Sequence, residues 1–205
     1  MGPPSGYLAR WNSSAWQLLN GAATPIPTSS GGPLIAIDGA GAPVVWSSLS
    51  LQRFADGSWQ TFDGAQASYP ALALDGQGRP VLAFQTNAGG TTGLEVRELV
   101  QGTWLSFSTV ASSAGGFGEV NVAVTPDSHP VLLWKQLGGV APDLHLARHD
   151  GQSWSLPYGT VNAVSGGAPA HVQLALDGAG SPVVAFDEYD AATATTSVYV
   201  WRSNQ

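Results

Sequence analysis

The stretch "ALALDGQGRPVLAF" at 71–84 decides the fold, because the chain repeats it. It recurs as "LIAIDGAGAPVVW" at 34–46, as "VQLALDGAGSPVVAF" at 172–186 and more loosely as "VNVAVTPDSHPVLLW" at 120–134. Each copy is an apolar run, a short turn and a second apolar run that opens on proline. This is the pattern of a β-hairpin. An internal repeat is therefore the first feature that a fold assignment must explain.

The repeat unit is longer than the hairpin and has a regular period. A tryptophan recurs at positions 16, 59, 104 and 154, which are 43 to 50 residues apart. A period of this length that tolerates insertions is typical of a four-stranded β-propeller blade.

One unit divides naturally into four short strands. The second unit predicts strands at 71–74, 80–84, 94–99 and 103–107, separated by turn residues. No segment shows an apolar period of 3.6 residues, so no helix is predicted. We therefore expect an all-β fold. It is a β-propeller of four-stranded antiparallel blades with four repeats per chain, forming a single domain over 1–205.

The number of strands leaves two ways to close the ring. Units 34–62, 71–107 and 120–157 are complete, whereas the unit from 172 lacks its fourth strand. The segment "AWQLL" at 15–19 matches that strand, so we expect it to pair with 197–203. A four-bladed monomer is favoured. The alternative is a homodimer by strand exchange, in which two chains form an eight-bladed ring.

The repeated turn residues have structural explanations. Asp38, Asp75 and Asp177 each precede glycine, where an aspartate side chain accepts hydrogen bonds from backbone N–H groups just ahead in the chain. The recurring proline opens strand two, one of the strand positions that tolerates a missing N–H donor. The recurring tryptophan is best explained as packing between blades.

Composition excludes several classes of partner. The chain has 205 residues, seven Lys plus Arg, a formal net charge of −7 and no cysteine. Scattered single cations do not make a phosphate-binding surface, so neither nucleic acid nor an anionic membrane is expected as a partner. No apolar run approaches the 18 residues of a membrane-spanning helix. No export signal and no cofactor motif are recognised.

A metal site is not expected either. The pair His145 and His149 in "HLARH" lies on a predicted strand, where four residues span about 13 Å, too far to share one ion.

The phrase "LDGxGxPVVAF", followed by "LxVRxxxGxxW", resembles the bacterial β-propeller repeats related to Asp-box and sialidase-like propellers. The resemblance covers about residues 7–203 and implies the propeller fold. It also implies three classes of function, because such propellers include lectins, glycosidases and passive scaffolds.

The loops place a candidate ligand site on one face of the propeller. The turns within the quoted hairpins are nearly constant, whereas the loops after strand two differ in length and polarity. A scaffold with constant turns on one face and varied loops on the other carries its specificity on the varied face. The last unit has the richest polar loop there, and Lys135 follows strand two of the unit before it. Together they predict a ligand-binding site made of Lys135, Asp187, Glu188, Tyr189 and Asp190.

Three functions compete on this basis. A non-catalytic recognition or scaffold module that binds a glycan or a protein through the varied face is favoured. One alternative is a sialidase-like glycan-active enzyme. The other is a purely structural fragment of a longer propeller. No catalytic motif is recognised, so no catalytic residue is predicted.

Overall fold

The computed structural model describes residues 5–6, 8–19, 26–27, 33–47, 50–63 and 68–203. The chain divides into two compact units, 1–66 and 67–205. All regular structure in the described residues is β-strand, and every ladder is antiparallel. None of the described segments forms a helix long and apolar enough to cross a membrane.

The first unit contains two small strand pairs and one four-stranded sheet. Strand β1 (Ser5–Gly6) pairs with β4 (Ile26–Pro27), and β2 (Ala9–Trp11) forms a hairpin with β3 (Trp16–Leu18). The sheet follows chain order through four strands. They are β5 (Leu34–Ile37), β6 (Pro43–Ser47), β7 (Ser50–Ala55) and β8 (Ser58–Asp63).

The second unit contains three successive sheets, each again in chain order. The first is β9 (Ser68–Leu74), β10 (Pro80–Ala88), β11 (Thr91–Val100) and β12 (Thr103–Ser113). The second is β13 (Phe117–Val124), β14 (Pro130–Gln136), β15 (Asp143–His149) and β16 (Trp154–Ser155). The third has three strands, β17 (Ala168–Leu176), β18 (Pro182–Asp190) and β19 (Thr195–Arg202).

The core of the second unit lies between successive sheets. Leu94 and Val96 of β11 pack with Phe117, Leu132 and Trp134 of the following sheet. The next layer repeats this arrangement, with Leu144 and Leu146 of β15 against Val172, Val184 and Phe186. Strands β10 and β14 are buried on both faces, which explains why their sequences are continuous apolar runs rather than alternating ones. Strand β18 has an equally continuous apolar run, but its residues alternate between buried and half-buried.

The turn between strands one and two is held by its aspartate. Asp75 Oδ1 accepts hydrogen bonds from the N–H groups of Gln77 and Arg79, at 2.9 and 2.7 Å. Asp75 Oδ2 accepts one from Arg79 Nε at 2.7 Å. Asp38 and Asp177 repeat the two backbone contacts, and each also pairs with an arginine of strand three, Arg53 or Arg202. The predicted turn chemistry is therefore confirmed.

The all-β class and the four-stranded antiparallel sheets are confirmed, and the fold is propeller-like. The number of blades in a closed ring, the single-domain assignment and the homodimer stay predictions. Among the described residues β3 pairs with β2 and β19 pairs with β18. The predicted pairing of 15–19 with 197–203 would join the first unit to the second and stays a prediction. The β2–β3 hairpin pairs one edge of "AWQLL" within the first unit. Asn12 closes its turn, because its N–H donates to the carbonyl of Ala15 and its Oδ1 accepts from the N–H of Ala15.

Candidate functional site

The varied loops after strand two and the starts of strand one (β9, β13 and β17) meet at one end of each sheet in the second unit. Strand one begins where strand two ends, as the pairs Ser68–Gln85, Gly118–Lys135 and Ala170–Asp187 show. The first strands of the three sheets lie side by side, because β13 contacts both β9 and β17. Side chains at this end of the sheets therefore face one shared surface.

Strands β9, β13 and β17 each carry a bulge at the equivalent position near the start of the strand. Tyr69, Glu119 and His171 lie five residues before the ends of their strands and have positive φ values of 50°, 45° and 52°. The register of each ladder shifts across the same position. Residues other than glycine rarely adopt this conformation, and a bulge re-aims the side chain that it carries. Three repeats therefore present a Tyr, a Glu and a His from one distorted backbone position.

Exposure differs sharply among these three side chains. The tyrosine is 68% exposed, and the side chain of His171 is 86% exposed. Glu119 is half-buried, and its carboxylate is engaged. It pairs with Lys135 Nζ through Oε1, and it accepts a hydrogen bond from the N–H of Val172 through Oε2 at 2.9 Å. Burial raises the pKa of Glu119, but the bonds from Lys135 and Val172 outweigh it and leave that pKa lowered.

Lys135 joins the second sheet of this unit to the third. Its ammonium group donates to Glu119 and also to the carbonyl of Pro169, at 3.3 Å. Gln85 occupies the same place one repeat earlier and donates from Nε2 to the carbonyl of Phe117 at 2.6 Å. Phe117 and Pro169 both lie seven residues before the end of strand one. The position after strand two is therefore an inter-sheet link in both repeats.

Asp187 occupies this position in the last sheet and makes a different contact. Both carboxylate oxygens lie 3.1 Å from Nδ1 of His171 on the neighbouring strand. The aspartate is about three-quarters buried, whereas the imidazole projects into solvent. Asp187 therefore orients an exposed imidazole near the start of β17.

Glu188 is fully buried and holds the linker between the second and third sheets. Its Oε2 accepts hydrogen bonds from the N–H groups of Ala163 and Val164, at 2.8 and 2.9 Å. Its Oε1 accepts one from Asn162 Nδ2 at 3.2 Å. With 0% of its surface exposed, Glu188 shapes the loop next to the site.

The other two predicted residues lie further out along β18. Tyr189 is 44% exposed and pairs with Ala168 at the start of strand one. Asp190 caps the following turn, accepting from the N–H of Ala192 and the hydroxyl of Thr193, both at 2.8 Å. Those two bonds lower the pKa of Asp190.

The structure thus places Lys135 and Asp187 at equivalent positions of successive sheets and separates the buried Glu188 from the exposed Tyr189. The ligand-binding role of the five predicted residues stays a prediction.

Sequence reasoning missed the bulged positions. An alignment of the strand-one starts "SYPALAL", "GEVNVAV" and "AHVQLAL" contains the signal, because large or polar residues interrupt the apolar alternation there. We call Tyr69, Glu119, Lys135, His171 and Asp187 the rim.

A second concave surface lies in the first unit. A groove of about 330 Å³ separates the β2–β3 hairpin from strand β5, and its lining includes Leu8, Trp11, Trp16, Ile35 and Ile37. The two indole rings lie 5.7 Å apart, and Trp16 is 71% exposed. The recurring tryptophan is therefore not fully packed in this copy, whereas Trp154 is half-buried and donates from Nε1 to the carbonyl of Phe107 at 2.9 Å.

The described residues contain no group of three His, Asp or Glu side chains arranged to hold a metal ion. His145 and His149 serve packing instead. His145 stacks on Trp134, and His149 meets Phe107 and Trp154 edge-on.

Comparison with known proteins supports the fold and leaves the family open. No protein-family model matches the chain, and no curated protein matches it. Among solved structures, a protein of unknown function from Dyadobacter fermentans is 14% identical over 91% of this chain and 68% of that one, with a TM-score of 0.56. An endo-arabinase from Bacteroides thetaiotaomicron is 13% identical over 83% of this chain and 74% of that one, with a TM-score of 0.50.

A fungal lectin of Aleuria aurantia, described as a six-bladed β-propeller with a novel mode of fucose recognition, is also similar. It is 13% identical over 98% of this chain and 81% of that one, with a TM-score of 0.48. Identities this low bear on the fold alone.

Proposed function

We propose that the protein is a non-catalytic recognition module that binds a glycan through the rim. The observation that carries this proposal is the repeated bulge, which gives three neighbouring strands the same strained backbone but a Tyr, a Glu and a His as side chains. Strain that recurs at one position indicates a function for that position. A purely structural bulge gives no reason for exposing a large aromatic ring and an imidazole there.

Sugar chemistry fits the groups on the rim. A pyranose ring has an apolar C–H face, which packs on an aromatic ring, and hydroxyl groups, which need a few well-oriented polar partners. The exposed ring of Tyr69 offers the first. The His171–Asp187 pair offers the second, because the aspartate fixes the imidazole at 3.1 Å.

The ion-paired carboxylate of Glu119 on the rim and the buried, hydrogen-bonded carboxylate of Glu188 support binding without turnover. Glycoside hydrolysis needs one carboxylic acid with a raised pKa that can donate a proton near neutral pH. Glu119 is held ionised by Lys135 and by the Val172 N–H, which lower its pKa. Glu188 is saturated by the three donors of the 162–164 loop.

The test is a glycan array followed by calorimetric titration of the best binder. We expect Tyr69→Ala and His171→Ala each to weaken binding by at least about tenfold, the loss of one good contact. The matched control is His129→Ala, because His129 lies in the turn between β13 and β14, at the opposite end of the sheets. If binding survives both rim changes but is lost in the control variant, the ligand binds at the opposite end of the sheets and the proposal is wrong.

The same material tests the alternative of a glycan-active enzyme. We expect no release of reducing sugar from any glycan that binds. Hydrolysis that disappears in Glu119→Gln or Asp187→Asn would assign the rim a catalytic role in place of a binding role.

A further inference from the structure

Strand β19 is unlike its counterparts in the two sheets before it. The register aligns Arg202 of β19 with Glu98 of β11 and Arg148 of β15, since each pairs with the residue after the strand-two proline. Val198 and Val200 therefore correspond to Leu94 and Val96 in one sheet and to Leu144 and Leu146 in the next. Those four counterparts are 0% exposed, beneath the following sheet. Val198 and Val200 are 78% and 71% exposed.

The outer edge of β19 is also free of the strand that its counterparts have. Strands β11 and β15 pair on that edge with β12 and β16, whereas β19 has β18 as its one strand partner in the described residues. Its pairing with β18 runs over eight consecutive residues, 195–202, without a bulge. The segment "TTSVYVWR" contains no proline and no lysine. Natural edge strands use these features to prevent pairing with another chain, and β19 has none of them.

We propose that β19 is a self-association strand, through which a second copy of the chain pairs antiparallel about a two-fold axis and sets its valines beside Val198 and Val200. A two-fold axis through Tyr199 sets Val198 of one copy opposite Val200 of the other, and Thr196 opposite Arg202. Every cross-strand pair on the exposed face is then apolar or neutral against cation. Such pairs stabilise antiparallel sheets, and no like charges meet.

The first sheet of a second copy (β5 to β8) would be a poorer partner for β19 than the second copy's own β19. Its corresponding apolar face, Ile35 and Ile37 of β5, already lies across a groove from the β2–β3 hairpin, with Leu8 in the same lining. Arg10 and Arg53 each lie six residues before a recurring tryptophan, and Arg53 and Arg202 each pair with the residue after the strand-two proline. Leu8, two residues before Arg10, therefore corresponds to Val200. The isologous pairing of β19 with itself needs no strand to be displaced, and it closes after two copies.

Light scattering coupled to gel filtration tests the assembly. We expect a mass of twice 21.1 kDa at micromolar concentration. Val198→Lys combined with Val200→Lys places lysines opposite one another and should raise the dissociation constant on the order of 100-fold. The control is Val140→Lys, a fully exposed valine in the loop between β14 and β15, which should leave the mass unchanged. A monomeric wild type, or a dimer that survives the double change, overturns the proposal.

Disulfide trapping tests the register, because the chain has no native cysteine. Directly opposed residues of an antiparallel pair have Cα atoms about 4.5–5.5 Å apart, within disulfide range. A mixture of Val198→Cys and Val200→Cys chains should therefore cross-link on mild oxidation. Either variant alone should not, since its cysteines are offset by two residues. Equal cross-linking in all three samples would rule out the proposed two-fold pairing.

Discussion

At the scale of single residues, the aspartate of the repeated turn carries a stabilising role that its position alone predicts. Burial raises the pKa of Asp75, but hydrogen bonds from the Arg79 side chain, from its N–H and from the Gln77 N–H outweigh it and lower that pKa below the ordinary 3.8. The carboxylate is therefore worth more to the folded chain when it is ionised. Its contribution is complete above about pH 4 and is lost as the pH falls through the lowered pKa.

We expect Asp75→Ala to lower the free energy of unfolding by about 1–3 kcal/mol, because two backbone donors and an arginine lose their acceptor. The measurement is urea denaturation at pH 7. The matched control is Asp143→Ala, an exposed aspartate at the start of β15, which should change the free energy by less than about 0.5 kcal/mol. Equal losses in the two variants would contradict the role assigned to Asp75.

A buried histidine gives the protein a second dependence on pH. Burial lowers the pKa of His149 from 6.5, and the nearby His129 lowers it further against the opposing charge of Asp150. The unfolded chain then binds more protons than the folded one between the lowered pKa and 6.5. Stability is therefore full above 6.5 and declines as the pH falls through the lowered value.

His149→Phe tests this dependence, since phenylalanine keeps the ring packing with Phe107 and Trp154 but does not titrate. We expect the wild type to lose more stability than the variant between pH 7.5 and pH 5.5, measured as the shift of the urea midpoint. The variant starts lower at both values, because the Gly151 N–H loses its acceptor Nδ1. An identical shift in both proteins would count against His149 as the titrating group.

At the scale of elements, the strands follow from the sequence more closely than the site does. The predicted strand 80–84 opens on the residue that opens β10, and the predicted turns are confirmed, because proline and Asp-Gly pairs act locally. The bulges at Tyr69, Glu119 and His171 depend on the pairing of two strands, so one repeat read alone does not show them, and their signal emerges only when the three strand-one starts are aligned. Glu188 illustrates the same limit, since its burial is set by the 162–164 loop that folds over it.

The linker before β17 offers a sharp test of that loop. A Cβ at Gly167 would lie 2.6 Å from Glu188 Oε1, and Glu188 is fully buried and bonded. Gly167→Ala should therefore cost about 1–3 kcal/mol of unfolding free energy, the usual range for overpacking. Gly178→Ala is the control, because a Cβ there meets nothing within 4 Å. A neutral Gly167→Ala would show that the loop is free to move away from Glu188.

At the scale of the whole molecule, both the proposed self-association and the observed strand partners make β19 the point to probe. Half of the amides of a strand point away from its one neighbour, so those of β19 exchange with solvent unless another strand covers them. In a dimer through β19 their protection rises with protein concentration.

Removal of residues 1–20 distinguishes self-association through β19 from the alternative that 15–19 pairs with 197–203. The β2–β3 hairpin pairs with itself and shares a groove with β5. We therefore expect the deletion to speed amide exchange in β5 and to leave the exchange of β19 unchanged at every concentration. Hydrogen exchange followed by mass spectrometry of peptides from both strands is the measurement. If the deletion exposes the amides of 195–202 instead, the hairpin is the partner of β19, and the two-fold pairing of β19 with its own copy is wrong.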